Sequence, residues 1–94
     1  MALTKNERRA LELARKIIKT WERNFVCHAL EDVEEEHPML SYACNRLRGY
    51  ISRQLGGAHT LDAWQIKNGW EGRDSSQRCV DRLAWIDWML AEGD

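Results

Sequence analysis

The sequence holds a single proline, at position 38, and no glycine before position 49. Nothing in its first part forces a helix to break except the step from His37 to Pro38. It also lacks any run near the roughly 18 apolar residues of a membrane span, and residues 1–9 (MALTKNERR) contain no apolar leader. The expectation is a protein without a membrane segment, working in the cytoplasm. Cysteine is sparse and odd in number: Cys27, Cys44 and Cys79 each fall within or beside an apolar helical stripe, as buried reduced thiols do and disulfide frameworks do not. Net charge is only −1 at pH 7, too little of one sign for a general nucleic-acid binder.

The patterns of catalysis are missing as well. There is no nucleophile elbow, no pair of carboxylates on one helical face near a pocket and no glycine-rich phosphate loop. Gly56 and Gly57 end a helix rather than start one, the wrong end for holding phosphate. Cys27, His28, His37, Cys44, His59 and Cys79 include the ligand types of zinc, but no pair has the CxxC or HxxxH spacing that presets two ligands. Adjacent Cys27 and His28 point about 100° apart on a helix, and His28 is better placed to pair with Asp32 one turn on. The reading is a chain with no catalytic residues, no metal and no cofactor.

What is present is helical periodicity. Hydrophobic content of 44% with 31% charged residues is that of a globular chain, and 94 residues make one domain. The expected fold is all-α: a compact single-domain bundle of about five helices over 1–94, without repeats or strands. Thr4 and Glu7 form a capping box. The helix they open carries Leu3, Ala10, Ala14, Ile17 and Trp21 on one face, flanked by Leu11, Leu13 and Ile18. Lys5, Arg8, Arg9, Arg15, Lys16, Lys19 and Arg23 occupy the other, a solvated face or, on a sharper reading, a landing strip for a phosphate-rich or acidic partner.

Asn24 suits the N-cap of a second helix over 25–35, which buries Phe25, Val26, Ala29, Leu30 and Val33. Its acidic end (EDVEEE, 31–36) opposes the helix dipole and calls for basic residues against it, or for a partner. A third helix runs from 38 to about 55. It buries Leu40, Ala43, Cys44, Leu47, Tyr50, Ile51 and Leu55, with Tyr42, Arg46, Gly49 and Arg53 outward. A glycine there costs about 1 kcal/mol relative to alanine with no packing reason evident, so this face is one candidate interface. A short fourth helix over 61–68 is capped by Thr60, and Asp74 with Gln77 opens a fifth over 75–91.

That last helix carries a core stripe of Cys79, Leu83, Ile86 and Leu90. Trp85, Trp88 and Met89 point the other way, more apolar surface than a small domain can hide. Either the helix runs through the middle of the domain, or the tryptophan side meets another chain. Asp87 lies about 40° from the centre of the stripe and is expected to be partly buried, paired with Arg48 or an indole N–H.

Three blocks, 25–30 (FVCHAL), 55–64 (LGGAHTLDAW) and 82–90 (RLAWIDWML), resemble small accessory proteins encoded by tailed phages and prophages; the N-terminal helix is outside the resemblance. That group has no assigned activity, so no functional residue carries over. Such genes often encode inhibitors of host defence, including anti-CRISPRs. The resemblance therefore implies a non-enzymatic inhibitor that binds a host protein or defence complex in the host cytoplasm. Trp85, Trp88, Met89, Tyr42, Arg46, Gly49 and Arg53 are the expected contact residues, since tryptophan, tyrosine and arginine dominate interface energies. The tryptophan face would equally serve a homo-oligomer. The alternative is an oligomeric binder that sequesters a nucleotide signal, by stacking on aromatics and phosphate contacts to arginine. A helix-turn-helix DNA-binding regulator ranks behind both, because the last helix is neither basic nor rich in base-reading side chains.

Overall fold

The computed structural model describes residues 3–21, 25–54 and 75–92. Among them the chain is all-helical: α1 (Lys5–Thr20), α2 (Val26–Glu36), a 3-10 turn (Pro38–Leu40), α3 (Ser41–Gln54) and α4 (Ser75–Glu92). The helix expected over 61–68 and its Thr60 cap lie outside the described residues, as do Arg23, Asn24, Leu55, His59 and Asp74. No helix among the described residues is long and apolar enough to cross a membrane.

α1 starts where its capping box predicts. The Thr4 hydroxyl accepts from the Glu7 N–H at 3.1 Å, and Glu7 Oε1 accepts from the Thr4 N–H at 3.1 Å, so two of the free donors of the first turn are satisfied. The helix buries Glu7, Ala10, Leu11, Ala14 and Ile18 and packs on α2, α3, the 3-10 turn and α4. It is therefore α1, not the last helix, that holds the middle of the bundle, its two alanines letting neighbouring helices approach closely. Trp21 was expected on the buried face and is 68% exposed. The backbone leaves helical geometry there (φ −115°, ψ 83°), so the i+4 relation to Ile17 no longer sets the direction of its side chain.

α2 begins after Phe25, whose extended backbone occupies the cap position without a side-chain cap. The phenyl ring is only half-buried, with the His28 ring edge-on at 5.1 Å and the Arg82 guanidinium 4.8 Å above it. Pro38 tightens the first expected turn of the third helix into the 3-10 segment. α3 then buries Ala43, Cys44, Leu47 and Ile51 beneath Leu40, and Tyr50 is half-buried rather than core. The acidic end of α2 is held from α3. Glu34 accepts from the Ser41 hydroxyl at 2.7 Å and pairs with Arg48 at 2.9 Å, and these contacts hold its carboxyl below the usual range. Arg48 thus serves Glu34, not Asp87.

α4 is rotated from its expected phase. Its buried residues are Cys79, Arg82, Ile86 and Met89, with Leu83, Trp85 and Leu90 half-buried against the core. At 100° per residue this turns the buried arc by about 50°. The turn is possible because Arg82, charged at its tip, covers apolar surface with its stem and lays the guanidinium on Phe25. Asp87 is swung out of the core by the same rotation: its side chain is 52% exposed and pairs with Arg15 of α1 at 2.8 Å. All three cysteines are free and buried. Burial pushes the Cys27 and Cys44 thiols up, keeping both protonated and unreactive.

Candidate interaction surface

The two expected contact faces fare differently. On α4, Met89 is core, at 3% exposed, and Trp85 packs half-buried against that core. Only Trp88 remains well exposed, at 42%, its ring 5.1 Å from that of Trp85. Of Trp85, Trp88 and Met89, one exposed indole leaning on another remains, while Val80 of the same helix is 63% exposed. The rotation of the helix is the cause, since it carries Met89 and Trp85 toward α1.

The outer face of α3 is as open as its sequence predicts. Tyr42 is 75% exposed, and Arg46 and Arg53 are exposed with Gly49 between them. The Arg46 guanidinium lies 5.9 Å from the Tyr42 ring centroid. A Cβ at Gly49 would meet Arg53 Nη1 at 3.3 Å, so the space above this glycine is already covered by a flexible arginine of the same helix. Met39 of the 3-10 turn, 74% exposed, extends the face. Residues 39, 42, 46, 49 and 53 alternate steps of three and four, so they form one outward stripe along the helix.

At the head of this stripe α1 contributes what periodicity alone does not show. Thr4, Asn6 and Glu7 from its first turn, with Met39, Tyr42 and Arg46, line a cleft of about 180 Å³. Glu7 is 1% exposed. Its Oε1 is used in the capping box, and its Oε2 has no hydrogen-bond partner; Arg46 Nε stands 4.0 Å away. The sequence marks Glu7 as a capping residue, and a cap is ordinarily at the surface. Its burial comes with the packing of α1 on the 3-10 turn and α3, long-range contacts without a local signal.

The basic face of α1 is partly consumed by the fold. Arg8 donates to the Leu90 carbonyl at 3.1 Å and Arg15 to Asp87, while Lys5, Arg9, Lys16 and Lys19 stay exposed. A second cleft, of about 300 Å³, opens between the ends of α1 and α2, with Leu13, Ile17 and Val33 at its floor and Lys16, Trp21 and His37 at its rim. No group of three or more His, Cys, Asp or Glu among the described residues is arranged to hold a metal.

Fold and surface together define an all-helical bundle with an outward aromatic and basic stripe. Comparison with protein-family models, with curated proteins and with solved structures finds no match to any of them.

Proposed function

We propose that the chain is a non-enzymatic accessory protein of the phage type that inhibits a host defence complex by binding it, with the α3 stripe as its contact surface. The observation that carries this reading is the adjacency of Met39 and Tyr42, each about three-quarters exposed, to Arg46 around one cleft. Single exposed apolar side chains are ordinary. A methionine, a tyrosine and an arginine meeting at a concavity are the composition of a binding centre. Trp88 is the second contact or a point of self-association.

The test compares wild type with Tyr42→Ala plus Arg46→Ala, and separately with Trp88→Ala, for co-purification with a host complex and for mass by light scattering. The reading expects the first variant to weaken binding about 30-fold or more at unchanged mass, the range of an interface centre. Full retention of the complex by that variant overturns it.

The larger cleft supports a second reading, the sequestering of a nucleotide signal. Its volume of about 300 Å³ reaches the lower bound of ligand pockets, and it joins the exposed Trp21 indole to the Lys16 ammonium. A thermal shift with a panel of cyclic nucleotides decides, because ligand at 100 times its Kd adds about 2.7 kcal/mol.

A further inference from the structure

We infer that the outward stripe of α3 docks an acidic α-helix of the partner protein. Carboxylates one heptad apart on that helix meet Arg46 and Arg53, and an apolar side chain between them fills the space over Gly49. The inference rests on the protein-binding reading above and names the chemistry of its partner. Charge sets the sign. Residues 38–54 hold three arginines and no acid, and one of the three, Arg48, is engaged by Glu34 at 2.9 Å. Arg46 and Arg53 stand at the surface. Glu7 comes within 4.0 Å of Arg46 Nε, but at 1% exposed it presents no carboxylate to a partner. The face therefore offers two cations, and the complementary surface carries acids.

Spacing sets the shape. Arg46 and Arg53 are two helical turns apart, about 10.5 Å along the axis. An extended strand repeats side chains on one face at about 7 or 13 Å, so it does not match both arginines. A helix matches them with residues one heptad apart. Tyr42, Arg46, Gly49 and Arg53 themselves follow the alternating steps of a helix–helix seam, with Met39 at its head. Gly49 is the second, independent observation. It lies inside α3 without a left-handed φ, and what a Cβ there would meet is the flexible tip of Arg53, at 3.3 Å. Neither the backbone nor the core of the free protein requires glycine, the costly choice in a helix interior. A facing helix gives it a use. As Arg53 swings out to a carboxylate it uncovers Gly49, and an apolar knob of the partner fits over the bare backbone.

The test is an NMR titration at low salt with stapled helical peptides of about four turns, the length of the stripe. The first carries glutamates at i and i+7 with leucine at i+4. The second moves the later glutamate to i+5, about 140° off that face. The third has lysines in place of the glutamates, and a short DNA duplex completes the set. Wild type is expected to show saturable shifts at Tyr42, Arg46, Gly49 and Arg53 with the first peptide, about fivefold weaker binding of the second and none of the third. Arg53→Glu, away from the buried Glu7, is expected to remove the advantage of the first peptide over the second. Gly49→Ala is expected to raise the thermal midpoint by about 4–8 °C while weakening the first peptide about fivefold, a gain in stability joined to a loss of binding. Equal binding of the first two peptides by wild type, undiminished binding by Gly49→Ala, or no saturable response to any peptide overturns the inference. A response to the duplex alone overturns it too and assigns the stripe to nucleic acid. These failures are distinct from failure of the wider binding reading, which is decided by the co-purification of the Tyr42 and Arg46 variant.

Discussion

Arg15 holds Asp87 with both ends of its guanidinium fork, Nε 2.8 Å from Oδ1 and Nη2 3.3 Å from Oδ2. The pair ties α1 to α4 across 72 residues of sequence and lies at the surface, the two side chains 37% and 52% exposed. The hydrogen bond to Asp87, then its charge, raises the Arg15 pKa. Such pairs contribute little. A double-mutant cycle on Arg15→Ala and Asp87→Ala is expected to give a coupling of about 0.2–1 kcal/mol, weaker at 1 M salt than at 0.1 M. A loss of about 3 kcal/mol from Asp87→Asn is the signature of a broken buried pair and would contradict the geometry.

The phase of α4 can be tested through neighbouring residues. Ile86, fully buried, should lose about 2–5 kcal/mol as Ile86→Ala. Met89→Ala should cost more than Leu90→Ala, because Met89 is core and Leu90 half-buried. A lower urea midpoint for Leu90→Ala than for Met89→Ala would restore the stripe expected from the sequence.

The cap of α1 separates hydrogen bonding from charge. Thr4→Ala removes the oxygen that receives the Glu7 N–H and is expected to cost about 0.5–2 kcal/mol. Glu7→Gln keeps both bonds of the box and should lower stability much less. Equal losses would mean that the buried carboxylate itself, not the cap, stabilises the helix start.

Glu34 gives the fold an acid-side dependence. Its carboxyl is held below the usual 4.5 by hydrogen bonds from Ser41 and Arg48. The folded state therefore binds this proton less readily than the unfolded one. The contribution is fully present above about 4.5 and is lost as pH falls through the lower folded value. Urea midpoints measured in steps from pH 6 to pH 3 should decline over that window in wild type, and less steeply in Glu34→Gln. An identical slope in the variant would remove Glu34 from the account.

Local chemistry made much of this legible. The Thr4 and Glu7 box, the Pro38 boundary and the outward set Tyr42, Arg46, Gly49 and Arg53 all depend on neighbours three or four positions away, which a sequence displays. Most of the misread positions depend on partners far along the chain. Met89 and Trp85 turn inward because Arg82, whose charge argues for solvent, is buried against Phe25. Trp21 faces out because its helix ends one residue earlier. Glu7 is buried where α1 packs on the 3-10 turn and α3, which no periodicity in 4–20 encodes. The helix expected over 61–68 lies outside the described residues.

The contacts that seat α4 join residues 61, 72 and 82 positions apart. During synthesis, the segments that form the apolar groove of α4 precede it, so its last occupant is not yet translated when they emerge. Segments that close only over such distances tend to fold late. Until α4 arrives, the groove is a sticky surface on the nascent chain, the stage at which a holdase chaperone would have most to cover.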